Sequence, residues 1–177
     1  MSRPRTTRLA LAAGAAALVA ASLTGCSGLV TPVGGGATRD EESQEVTEAG
    51  TESVFEITVG DCLLEPDGEE VFDVEAVPCA EAHDYEVYHE FEVDLGDEWP
   101  GEEAIGTAAD EGCYAEFENF AGISFEESAS LWYTAFTPLE ASWADGDRLV
   151  QCIIYEASDD SGMEIAQVEG SLAGAAR

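Results

Sequence analysis

Between residues 85 and 94 the side chains alternate in character. Tyr85, Val87, His89, Phe91 and Val93 are separated by Glu86, Tyr88, Glu90, Glu92 and Asp94. A period of two belongs to a strand with one face on a core and the other toward water, so this stretch predicts a half-buried strand. Weaker strand patterns flank it. Residues 54–59 mix Val54, Phe55, Ile57 and Val59 with polar positions and break at Gly60-Asp61, and residues 71–78 carry Val71, Val74 and Val77 after the turn signal Pro66-Asp67-Gly68. Further on the period changes. Ile105, Ala109, Cys113, Phe117 and Phe120 recur at helical spacing, with Pro100, Glu102 and Glu103 suited to the start of a helix and Gly122 to its end. Strand character returns in residues 131–136, until Pro138 interrupts it, and in residues 149–155, with a last edge strand over residues 164–168. A short helix or turn falls at residues 139–144. The order predicts an α+β domain: a small antiparallel sheet with one main helix packed on it.

The first quarter of the chain has no such pattern. Arg3, Arg5 and Arg8 precede an apolar run over residues 9–21, shorter than a bilayer-spanning helix needs, and the run ends at Leu23-Thr24-Gly25-Cys26. This arrangement reads as a bacterial lipoprotein signal with its lipobox, cleaved so that Cys26 becomes the lipid-bearing first residue. The expected layout is a signal peptide over residues 1–25, a lipidated N-terminus and flexible acidic linker over 26–52, an extracytoplasmic domain over 53–170 and a loose tail over 171–177. The expected location is the outer face of the cytoplasmic membrane, held by lipid on Cys26.

Charge sharpens the picture. All 38 acidic residues follow Cys26, against Arg39, Arg148 and Arg177 and no lysine, a balance of −35. Such a field argues against nucleic acid as a partner and favours a soluble, well-dispersed domain. A solvated acidic surface is the preferred explanation, with a calcium-responsive role as an alternative. Removing Cys26 from the five cysteines leaves Cys62, Cys79, Cys113 and Cys152, an even number that outside the cytoplasm reads as two disulfides. Four cysteines admit three pairings. The favoured one joins Cys62 to Cys79 across a short strand-turn-strand unit, and Cys113 on the helix to Cys152 on a strand. Zinc held by four thiolates, or by Cys79 and His83, is the less favoured reading, and neither metal nor cofactor is expected.

Candidate chemistry is sparse. His83 and His89 are the only histidines, and no nucleophile elbow, zinc-protease helix, phosphate loop or EF-hand ladder accompanies them. Carboxylate pairs carry no information in so acidic a chain. His83 reads first as a buried or turn histidine, and second as a binding residue or base. The segment Trp143-Ala144-Asp145-Gly146-Asp147-Arg148 holds the only arginine of the core of the predicted domain. It reads first as a structural turn, with Arg148 paired to a carboxylate and Trp143 packed on the core, and second as a ligand contact through Trp143, Asp147 and Arg148. Tyr88, Trp99 and Trp132 fit either a core or a recognition face.

Several of these pieces occur together in one known family. V-G-D-C-L at residues 59–63, V-P-C-A-E-A-H-D-Y-E-V at 77–87, the helix bearing Cys113 and P-L-E-A-S-W-A-D-G-D-R-L-V-Q-C at 138–152 resemble the septum-formation domain of actinobacterial envelope proteins. The resemblance covers about residues 55–155. It implies a small extracytoplasmic domain on a lipid or membrane anchor, linked to formation of the division septum, with no established active site. The leading expectation is therefore not an enzyme but a lipid-anchored binding protein whose partners are the membrane, through Cys26, and another envelope or division protein. The alternative is an envelope hydrolase using His83 and carboxylates.

Overall fold

The computed structural model describes residues 35–68 and 70–177. Cys26, the lipobox, the leader and the start of the linker lie outside the described residues. Along the chain come β1 (Thr38–Arg39), β2 (Val46–Glu48), β3 (Gly50–Ser53), β4 (Cys62–Leu63), β5 (Asp73–Val77), β6 (Tyr85–Glu92), α1 (Glu102–Ala121), a 3-10 turn (Phe125–Glu127), β7 (Leu131–Phe136), α2 (Glu140–Ala144), β8 (Leu149–Ala157) and β9 (Ile165–Ala166). β1 and β2 form a small hairpin. The other strands make one antiparallel sheet in the order β3-β5-β4-β6-β8-β7, with β9 added to β8. None of the helices described is long and apolar enough to cross a membrane.

Helix α1 starts after Gly101 with Glu102 and Glu103 in its first turn, where carboxylates favour the positive end of the helix. It stops at Gly122, whose left-handed backbone (φ 77°) turns its N–H onto the Glu118 carbonyl. Ile105, Ala109, Cys113, Phe117 and Ala121 form its buried stripe. They pack on Tyr88, Val93, Leu131, Val150 and Ile154 of the sheet and on Trp143. A second apolar cluster fills the opposite face, where Ile57, Leu63, Val74, Val87, Ile153 and Tyr155 meet. Strands β6 and β8 therefore lie between two cores, and β8 is buried almost from end to end.

Both disulfides follow the favoured pairing. Cys62–Cys79 ties β4 to the exit of β5, with Cα atoms 5.2 Å apart, and Cys113–Cys152 fastens α1 to the middle of β8 across 5.4 Å. The architecture is the expected small antiparallel sheet with one main helix, stapled twice.

Three local expectations give way to a different arrangement. The first strand of the main sheet lies over Gly50–Ser53 instead of residues 54–59. Its pairs with β5 run from Gly50 and Ala76 to Ser53 and Asp73, while Val54 and Ile57 bury their side chains from a turn. A polar edge strand has no apolar period to announce it. It follows that residues 38–52, expected as linker, already belong to the ordered structure through β1, β2 and most of β3.

The second difference concerns the polar face of β6. Alternation puts Glu86 and Tyr88 on the water side, yet both are buried because α1 and the C-terminal segment cover that face. The third concerns the tail. Gly174 and Ala176 donate their N–H groups to the carbonyls of Phe120 and Ala121 at 2.7 and 2.9 Å, and Leu172 is fully buried. The last turn of a helix leaves carbonyls without intrahelical donors, and here the tail supplies them.

Candidate functional site

His83 sits just before β6, where its backbone exchanges hydrogen bonds with Val168 in both directions at 2.9–3.0 Å. Its ring is wholly buried. Nδ1 lies 2.8 Å from the Glu81 carbonyl and donates its N–H to it. Nε2 has no hydrogen-bond partner among the described residues. Glu86, three residues later, receives the Ser171 hydroxyl and the Leu172 N–H, each at 2.6 Å. Burial pushes the Glu86 carboxyl above its ordinary pKa, opposed by those two hydrogen bonds and by His83.

Ligand atoms of Cys62, His83 and Glu86 lie within 4.8 Å of one another, the sort of grouping that can hold a metal. The donor set does not suit one here. The Cys62 sulfur is bonded to Cys79, both oxygens of Glu86 are engaged, and only the His83 Nε2 is left over. The disulfide likewise removes Cys79 from any zinc pair with His83.

Beside this cluster opens a cleft of about 600 Å³. Its walls include Val46, Asp61, the Cys62–Cys79 bridge, Glu86, Phe120 and Ser171. Asp61 belongs to a second polar node, whose arginine falls in the stretch expected as linker. The Arg39 guanidinium donates to both oxygens of Asp61 at 2.6 and 2.8 Å and also pairs with Glu52. Hydrogen bonding to Asp61 holds Arg39 charged and raises its pKa. The signal that could have found this node is a lone arginine in a long acidic stretch.

Trp143, Asp147 and Arg148 form a node at the other end of the sheet. The Arg148 guanidinium carbon lies 3.5 Å over the Trp143 ring, and its N–H groups donate to the carbonyls of Trp143, Asp147 and Gly96. Asp147 receives the Leu149 N–H and the Ser142 hydroxyl, and the Trp143 indole N–H donates to the Asp97 carbonyl at 3.1 Å. Trp99 meets Trp143 edge-on. Among the described residues no carboxylate pairs with Arg148; backbone carbonyls take that place, so the segment locks α2 to the loop before α1. His83 precedes the eight residues of β6 and Val93, whose N–H bonds to the Arg148 carbonyl, follows them, so the two nodes stand at opposite ends of that strand. Of the other aromatics, Tyr88 is core, its hydroxyl donating to the Cys113 carbonyl at 2.6 Å, while Trp99 and Trp132 are half-buried.

The family model for septum formation matches residues 59–177, about two thirds of the chain. This chain belongs to the septum-formation family. No curated protein and no solved structure shows significant similarity to it. The septum-formation match takes in both disulfides, the His83–Glu86 cluster, the Trp143–Arg148 node and the tail, and it leaves out β1, β2 and β3. The cleft is thus built mostly from family residues, with residues 43–46 and Thr58 contributed from outside the match.

Proposed function

We propose that this member of the septum-formation family is a lipid-anchored, extracytoplasmic binding protein that engages another component of the cell envelope and carries out no catalysis. The observation that supports it is how the polar groups are spent. Glu86 holds the C-terminal segment, Asp147 and Arg148 hold α2 and its neighbours, and Arg39 holds the first strands. These groups are structural fasteners, and the cleft beside the Cys62–Cys79 bridge remains as open surface for a partner. The lipobox supplies the address.

The test is photocrosslinking in intact cells from Ala80 and Ala173, both exposed on the cleft rim, followed by identification of what is captured. The reading expects one envelope component captured from both positions and not from the remote, exposed Ala141. Equal capture from all three positions counts against it. A Cys26→Ala variant should leave the membrane fraction, and one that stays there overturns the anchor.

A second reading, an envelope hydrolase, draws on the unpartnered His83 Nε2 beside the Glu86 carboxyl. His83→Ala distinguishes the two. A folded, disulfide-complete variant that still replaces the wild-type protein in cells rules out a histidine mechanism, and one that fails to do so while keeping its crosslinks supports it.

A further inference from the structure

Strand β7 ends the sheet, and nothing among the described residues pairs with its outer edge. Its register with β8 runs without a shift from Leu131 and Glu156 to Phe136 and Gln151. The Ala157 N–H bonds to the Ser130 carbonyl, and antiparallel pairs alternate, so Trp132, Thr134 and Phe136 point their backbone groups at β8. Leu131, Tyr133 and Ala135 point theirs outward. Ser128 serves both outward groups of Leu131 through its hydroxyl, which leaves Tyr133 and Ala135 presenting donors and acceptors to open space.

Natural edges are guarded by charge, proline, bulges or shortness. The opposite edge, β3, is short and carries Glu52 tied to Arg39. In contrast, Leu131–Phe136 is six residues long, uncharged, free of proline and regular. Alongside it runs a groove of about 370 Å³ between β7 and α1, walled by Gly106, Ala109 and Asp110 on the helix and by Tyr133, Ala135 and Thr137 on the strand side. Gly106 faces open space, since a Cβ there would meet nothing within 4 Å.

We propose that this edge and groove receive an extended, basic segment of a partner protein as an additional strand of the sheet. Main-chain bonds to Tyr133 and Ala135 would supply the pairing, and the small residues of α1 would accept alternate side chains. The electrostatics select the occupant. Helix α1 carries six acidic residues and no basic one, and the balance of −35 makes a second copy of this chain a repelling guest and a lysine- or arginine-bearing strand a favoured one. This inference rests on the reading of the domain as a binding module but uses a surface other than the cleft.

The test uses the mature full-length chain and a defined probe, an alternating Lys-Val peptide of about eight residues, the length of a long strand. A peptide of the same charge with proline at alternate valines is the control. Amide exchange should slow at Tyr133 and Ala135 with the Lys-Val peptide and not with the control, at near-physiological salt. Two variants keep the fold and close the site. Ala135→Pro removes an N–H that β8 does not use, and Gly106→Leu fills the groove from a helical position; each should weaken binding by roughly tenfold or more. Equal binding of the two peptides, or unchanged binding by both variants, overturns the proposal. Protection of Tyr133 and Ala135 that rises with protein concentration in the absence of peptide would show a second copy as the occupant and overturn it as well. If the Ala135→Pro protein loses the peptide but keeps its cleft crosslinks in cells, the two surfaces are separate; crosslinks lost from the cleft alone bear on the functional reading and leave the edge standing.

Discussion

The Glu86 carboxylate accepts the backbone N–H of Leu172 at 2.6 Å, joining positions 86 residues apart in the chain. With the Ser171 hydroxyl on its other oxygen, this one side chain closes the C-terminal segment over the end of β6. Glu86→Ala leaves both donors without an acceptor in a buried place, at a cost of roughly 1–3 kcal/mol. Denaturant titration of the two proteins at neutral pH measures it.

The same carboxyl makes a pH-dependent contribution whose sign is fixed by burial. Its folded pKa lies above the ordinary 4.5, so its protonated form is the one folding favours. The contribution is complete below about pH 4.5 and is lost as the pH rises through the raised value. The stability of wild type relative to Glu86→Gln should therefore fall as the pH rises from below 4.5 through the raised value. A difference that stays level across that range would show that Glu86 is not held back by burial. Comparing the two proteins matters, because the other carboxylates titrate in both.

Arg148 is a fastener in this structure, and that role can be told from ligand binding. Arg148→Lys loses the planar stack on Trp143 and most of the fork that reaches three carbonyls, and should cost about 1–3 kcal/mol. Thermal or chemical unfolding gives the answer. Unchanged stability with lost partner binding would reassign the residue to recognition.

Gly112 tests how closely α1 approaches β6. A Cβ there would come within 2.2 Å of the Phe91 ring, so Gly112→Ala should destabilise by about 1–3 kcal/mol even though alanine is the better helix former. Combining it with Phe91→Leu should remove the penalty, a coupling that a double-mutant cycle reads directly. Additive effects would mean that the ring moves aside freely.

The two disulfides differ in the length of loop they close, 17 against 39 residues of separation. On chain entropy alone, losing Cys62–Cys79 costs about 3 kcal/mol and losing Cys113–Cys152 about 4 kcal/mol. Paired Cys→Ser variants, unfolded one bridge at a time, should rank in that order. The helix should also loosen from β8 in the second case, exposing Phe117 to solvent.

Much of this domain could be read from residue order because its signals are local. The stripe Ile105, Ala109, Cys113 and Phe117 fixed the facing of α1, and that facing aimed Cys113 at Cys152. What escaped depended on distant partners. Glu86 looks like a solvent position by alternation, and only a segment 85 residues away makes it a buried acceptor. Gly50–Ser53 has no strand propensity to speak of and pairs because β5 offers an edge. Arg39 resembles linker by its neighbours in the chain, and its role comes from Asp61, 22 residues on and 2.6 Å away in the fold. His83 was legible as a buried histidine, whereas its nearness to Cys62 and Glu86 was a matter of fold.

The Cys62–Cys79 bridge also sets a mechanical limit. A pull applied from the N-terminal side loads β1–β2 and β3 first, and β3 is held to β5 by pairs that can open in turn, like a zipper. Once β3 has peeled, the load reaches Cys62. There the load crosses the covalent bond to Cys79, so residues 63–78, with β5 among them, are taken out of the force path. The first strands can lengthen under load, whereas the segment enclosed by the bridge cannot be drawn out while the bond is intact.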